Sequence, residues 1–289
     1  MGLDAEQTIA QPRPIGLTLF RASEIYGAEP FYHELIAGID RVVRPHGLSV
    51  LLRVLPTREE ELLQLGRWQQ DGTVSAVILV DLIDDDERVA FVERSAIPAI
   101  VIGAPTTAQG LPAIWTNDAV TMHEAVDHLV SLGHRRLAHV TGPRELTHTL
   151  SRMEAFTLAS DLPDVDTVSI GGDYSRASGV QAMQALLARD PRPTAVVFDS
   201  DVMALGGLQA VQEAGLRVPD DLSIVAWDDS SQCQLSDPPM SALSHDVQRI
   251  GEMAGEELLE LLAGRVGTTR EAPHAVVIER STSGSAPAV

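Results

Sequence analysis

The stretch FDSDVMALGG (198–207) sets Asp201 where a β-branched run gives way to a helical pattern. An acid at that joint can cap the helix, because Asp and Ser are preferred N-caps. It can also accept hydrogen bonds from two neighbouring hydroxyls of a ligand. Ser200 precedes it and can take the capping role itself. Arg152 follows the run LAHVTG (137–142), and its five donors in a fixed fork suit hydroxyl or carboxylate recognition. Tyr174 follows TVSIGG (167–172). Only 4% of the residues are aromatic, so a ring in a connection stands out, and stacking on the apolar face of a ligand is open to it. Phe31 and Tyr32 open the segment after IGLTLF (15–20) as a second aromatic platform, with core packing equally open to Phe31. Trp227 and Asp228 end the run SIVAWDD (223–229), and Asn117 and Asp118 end AIWTND (113–118). His148 and His245 lie in similar connections, where an isolated histidine serves as readily in the core or on the surface as at a ligand.

Sharper chemistry fails on spacing. HEAVDH (123–128) looks like a zinc-protease helix, but its histidines are five residues apart. That sets them about 140° apart around a helix, too far to share a metal. No G-x-S-x-G elbow, P-loop or G-x-G-x-x-G is present. DDDE (84–87) reads as a solvated helix start favoured by the helix dipole. No nucleophile, base and orienting acid assemble from these connections, so the chain is not read as an enzyme and no cofactor is implied. The single cysteine, Cys233, excludes an internal disulfide and a cysteine-based metal cluster.

The formal net charge is −20, from 41 acidic and 21 basic residues, and every basic residue is arginine. Such a surface repels phosphates, so the chain alone is a poor binder of nucleic acid. It holds no apolar run of membrane-spanning length. Its start, MGLDAEQTIAQPRP, lacks the basic and apolar regions of a secretory signal. The expectation is a cytoplasmic protein with a short polar lead-in.

β-branched runs alternate with amphipathic segments from end to end, with strands expected at 15–20, 48–55, 75–81 and 99–103 and, after a restart near 133, at 136–142, 167–172, 194–200, 222–229 and 275–280. Strands apolar on both faces and separated by helices imply parallel sheets covered on both sides. The restart implies two similar α/β, Rossmann-like lobes. Ligands in such folds bind beyond the carboxyl ends of strands. The connection LVSLGHRRLAHVTG (129–142) is a joint between elements: Gly133 suits the left-handed helix end and His134, Arg135 and Arg136 complement the dipole.

TND (116–118), HL (128–129) and LGHRRLAHVTG (132–142) together resemble the core signature of the lactose-repressor (LacI/GalR) family of bacterial transcription regulators. The resemblance continues in SRMEAF (151–156), GGDYSRASGVQAMQALL (171–187) and RPTAVVFDSDVMALGGLQAVQEAGLRVPDDLSIVAWDD (192–229). PPMSALSHDVQRIGEMA (238–254) and IERSTSG (278–284) complete it, so it covers about residues 15–284.

The resemblance implies a two-lobed fold like that of periplasmic binding proteins, with a sugar or related effector in the cleft. It implies residues 1–14 as a linker or hinge remnant, one lobe from 15–132 plus 247–274, and the other from 133–246 plus 275–289. Asp201 and Arg152 match ligand-binding positions, His148 and His245 match pocket-lining ones, and the family usually has Asn where Ser200 stands. It also implies a homodimer reading a palindromic operator through a helix-turn-helix headpiece absent from this chain. A sugar-binding protein for transport shares the fold and is the alternative.

Overall fold

The computed structural model describes residues 13–20 and 29–287, so the expected linker 1–14 lies almost wholly outside the described residues. The β-branched runs form two six-stranded sheets. The first holds β1 (Ile15–Phe20), β2 (Val50–Leu55), β3 (Ala76–Leu79), β4 (Ala99–Ile102), β5 (Ala113–Trp115) and the short β11 (Arg270–Glu271), in the order β11-β5-β4-β3-β1-β2. The second holds β6 (Arg136–Thr141), β7 (Asp166–Gly171), β8 (Ala195–Phe198), β9 (Ser223–Trp227), β10 (Ser241–Ser244) and β12 (Val276–Ile278), in the order β12-β10-β9-β8-β6-β7. The two orders are the same. Pairing is parallel throughout, as in β1 with Ile15 opposite Val50 and Ala76, except for the antiparallel β12 against β10. Leu17, Ala76–Leu79, Val196, Val197 and Ile224–Ala226 are fully buried, as strands covered by helices on both faces require. Among the described residues no helix is long and apolar enough to cross a membrane.

The helices are α1 (Pro30–Val43), α2 (Arg58–Asp71), α3 (Glu87–Ser95), α4 (Pro105–Ala108), α5 (Asp118–Ser131), α6 (Thr147–Leu158), α7 (Arg176–Leu187), α8 (Asp201–Glu213), α9 (Ser231–Gln234) and α10 (Val247–Leu262). Helix α10 joins the first lobe, where Ile250, Ala254 and Leu258 share a core with Leu17, Leu35 and Ile39. Its axis lies so close to α1 that a Cβ on Gly38 would stand 2.1 Å from the Gln248 carbonyl oxygen.

Helix α5 corrects the expected boundary at 132. Its apolar face, Met122, Ala125, Val126 and Leu129, packs with Phe156, Val197, Val225 and Trp227 of the second lobe. The chain therefore passes between lobes at 116–117, before the helix. It passes twice more, between β10 and α10 and between β11 and β12.

Asn117 sits at that first crossing and caps α5, accepting from the Val120 amide at 3.3 Å. Losing such a cap costs about 1 kcal/mol. Asn117→Ala is expected to lower stability by about that amount in a denaturant titration and to leave ligand affinity unchanged.

The 129–142 joint is structural. Gly133 has φ +92°. His134 is fully buried and ties three segments together through Thr194 Oγ1 (2.9 Å), Ser223 Oγ (3.1 Å) and the Gly284 carbonyl (3.1 Å). Arg135 donates to the Val130 carbonyl at the end of α5, as the dipole favours.

Candidate functional site

Parallel strands in both sheets aim their carboxyl ends at one cavity between the lobes. It encloses about 870 Å³ of empty space, open solvent at the mouth included. From the first lobe, β1 leads to Glu29, Phe31 and Tyr32 at the start of α1. The ends of β3, β4 and β5 supply Val80 and Asp81, Ile102 and Gly103, and Thr116, while Ile250 comes from α10. From the second, α5 supplies Asp118, α6 supplies His148 and Arg152, and the turn after β7 supplies Tyr174. The β8–α8 turn supplies Asp199, Ser200 and Asp201. The ends of β9 and β10 supply Trp227, Asp228 and His245.

Ten of the side chains singled out in the sequence thus face one another, and Asn117 does not. Asn117 spends its carbonyl oxygen on the helix cap, one position before Asp118, which is turned to the cavity.

Arg152 is the electrostatic centre. It is 9% exposed, and its Nε donates to Asp118 Oδ1 at 2.7 Å. Its Nη1 lies 3.8 Å from Asp199 Oδ1, and its guanidinium carbon lies 3.8 Å from the Trp227 ring centroid. The two carboxylates hold the guanidinium charged against the burial that opposes it. The imidazole of His245 stacks on Trp227 at 5.7 Å. Burial, with Arg152 nearby, pushes His148 down, so its neutral ring shares a 2.8 Å hydrogen bond with the Tyr174 hydroxyl. Burial likewise raises the Tyr174 phenol, which remains a neutral hydroxyl.

Asp199 was not anticipated. Although burial works against its charge, His139 Nε2 at 2.8 Å, Arg152 and the Gly142 amide at 2.9 Å hold its carboxyl below the usual range. Asp81 was also missed; it accepts from the Tyr32 hydroxyl at 2.6 Å. Its backbone is fixed from behind by Arg88 Nη2 on the Val80 and Asp81 carbonyls. Arg88 in turn is buried with Asp86 at 2.7 Å and Glu61 at 3.1 Å. The DDDE run is accordingly only partly solvated: Asp86 caps α3 and is 3% exposed.

Three cavity residues, Asp81, Tyr174 and Asp228, have positive φ (52°, 69° and 69°) without being glycine. Such strain costs of order 1–3 kcal/mol each and concentrates at binding sites. The Tyr174 ring packs so tightly on Gly142 that a Cβ there would lie 2.3 Å from its Cζ and Oη. Gly142→Ala is expected to cost about 1–3 kcal/mol by overpacking and to weaken ligand binding by displacing the ring; unaltered binding in a calorimetric titration would count against Tyr174 as a contact.

Ser200 caps α8 by accepting from the Met203 amide at 3.2 Å, which leaves Asp201 free of that task. Asp201 is 3% exposed; its Oδ1 accepts from the Val202 amide at 2.7 Å, and its Oδ2 has no hydrogen-bond partner among the described residues. Burial, with Asp228 adding to it, pushes its carboxyl up to about 7.

The family model of the periplasmic binding protein-like domain matches residues 126–283, more than half of the chain. The HTH-type transcriptional repressor CytR of Escherichia coli (strain K12) is 30% identical over 249 residues, covering 82% of this chain and 70% of its own. The HTH-type transcriptional regulator CelR of Thermobifida fusca is 28% identical over 260 residues, covering 87% and 74%. A solved LacI family transcriptional regulator from Bifidobacterium animalis subsp. lactis is 32% identical with a TM-score of 0.87, covering 95% of this chain and 98% of that one. These relatives are transcriptional regulators, not enzymes or transport proteins. The chain belongs to the LacI family of transcriptional regulators and carries its effector-sensing core.

Proposed function

We propose that the cleft binds a polyhydroxylated effector without an anionic group, a sugar in the first instance, and that Asp201, Arg152, Asp118, Asp228, His148, His245, Tyr32, Tyr174, Phe31 and Trp227 contact it. One observation carries the reading: among the described residues six carboxylates line the cavity (Glu29, Asp81, Asp118, Asp199, Asp201 and Asp228) and one guanidinium, Arg152. That guanidinium already serves Asp118 and Asp199. A phosphate or carboxylate would meet repulsion there, whereas hydroxyls bring donors for buried acids and the rings offer an apolar face.

Bound effector favours one angle between lobes joined by three crossings. Only a difference in affinity between the open and closed arrangements moves that equilibrium. The change is passed through a homodimer to operator DNA. The −20 charge keeps this core off DNA, and we assign DNA contact to a helix-turn-helix headpiece of the kind that the names of CytR and CelR carry.

A thermal-shift panel of neutral sugars beside their phosphates tests this, since a ligand bound to the folded state alone raises the melting temperature. The expected result is a rise with a neutral sugar and none with its phosphate. A rise with phosphates alone would reverse the reading.

A further inference from the structure

Five buried polar side-chain atoms lack a hydrogen-bond partner among the described residues, and three of them line one side pocket of the cleft. They are Asp201 Oδ2, Ser230 Oγ and His245 Nδ1. Asp201 is 3% and Ser230 5% exposed, and the His245 side chain is 5% exposed. Buried polar atoms are normally paired, so three orphans around one space mark a place prepared for a partner. Ser230 stands beside Asp201 and favours its ionised form, though its hydroxyl meets no full hydrogen-bond geometry among the described residues. His245 Nδ1 lies 3.5 Å from Asp228 Oδ1, again without bonding geometry.

The pocket shares Asp201, Asp228 and His245 with the cleft and adds Glu34, Asp229 and Ser230. No arginine lines it among the described residues. Asp229 is held from outside by Arg280, at 2.7 and 2.8 Å. Among the described residues Glu34, Asp201 and Asp228 have no such guanidinium, and Asp246 adds a further negative charge near Glu34. Burial and these like charges push the carboxyls of Glu34 and Asp201 up. The enclosed space admits roughly one water-sized group beyond the cleft.

We propose that this side pocket is a subsite for a protonated amine, so that the effector is an amino sugar rather than a plain one. An ammonium carries three donors and a positive charge in a compact group. Those donors match the Asp201 carboxyl, the Ser230 hydroxyl and His245 Nδ1. The charge offsets Glu34 and Asp228. A hydroxyl supplies one donor and no charge, and an N-acetyl group overfills the space while abolishing the charge. The inference rests on the cleft being the effector site.

Calorimetric titration of the protein with matched sets tests it: glucose, glucosamine and N-acetylglucosamine, and the same three for galactose and mannose. The expected result is that in one set the amino sugar binds about tenfold or more tightly than its parent, as a charge-assisted contact warrants, and that acetylation removes the gain. Ser230→Ala, which deletes an unpaired hydroxyl, and Glu34→Gln are expected to remain folded and to narrow that preference. Equal affinity for an amino sugar and its parent overturns the amine subsite and leaves the cleft reading standing. Binding only to phosphorylated sugars, or no binding in any set, overturns both.

Discussion

Arg152→Met is expected to destabilise the protein by about 3–5 kcal/mol and to abolish effector binding, because removing one partner of a buried ion pair leaves the others as uncompensated charges. Methionine keeps most of the volume, so the loss is electrostatic. Asp118 gives up its 2.7 Å partner, Asp199 a nearby cation, and Trp227 the guanidinium against its ring. Asp199 retains His139 and the Gly142 amide, so most of the penalty falls on Asp118. The double variant Arg152→Met/Asp118→Asn is therefore expected to recover a large part of the stability and none of the binding. Denaturant titrations of the two variants decide it. A loss below about 1 kcal/mol for the single change would mean that the guanidinium is an ordinary surface arginine.

Asp201→Asn is expected to stabilise the protein near neutral pH while weakening effector binding. With its carboxyl pushed from 3.8 up to about 7, Asp201 stays protonated in the folded chain where the unfolded chain has already released the proton. The folded state binds more protons between those values, so stability falls as pH rises from about 4 to about 7 and levels off above. The full span is on the order of 4 kcal/mol. Asparagine mimics the protonated acid at every pH. The variant should match the parent near pH 4, exceed it above pH 7, and lack that slope. The same change removes the Oδ2 acceptor offered to the ligand. A residue whose loss stabilises the fold and weakens binding is one retained for binding. Melting curves from pH 4 to 8 that run parallel for parent and variant would contradict it.

These two residues also show how far the sequence can be read. Asp201, Arg152 and Tyr174 follow β-branched runs, and position after a strand is local information, so their convergence was legible. Helix α5 was assigned to the wrong lobe because its amphipathic pattern states that one face is buried, not which sheet buries it. Asn117 was misread for a related reason: capping and ligand contact use the same side-chain oxygen, and only the direction of the helix start separates them. Asp199 escaped notice beside Asp201, since its partners are His139, 60 positions away, and the Gly142 amide, 57 away. No periodicity reports such a pair. Asp81 left a fainter signal, a lone acid directly after the apolar run AVILV, and with it the buried Arg88–Asp86–Glu61 cluster that fixes its backbone.

Trp227 offers the most direct test that the effector sits between the lobes. It is one of three tryptophans, with Trp68 and Trp115, and it lines the cavity beneath Arg152 and His245. In a Trp68→Phe/Trp115→Phe protein its emission can be followed while effector is added. A saturable change is expected whose midpoint coincides with the dissociation constant from calorimetry. An effector that binds by calorimetry but leaves the Trp227 emission unchanged would place the effector site outside the cleft.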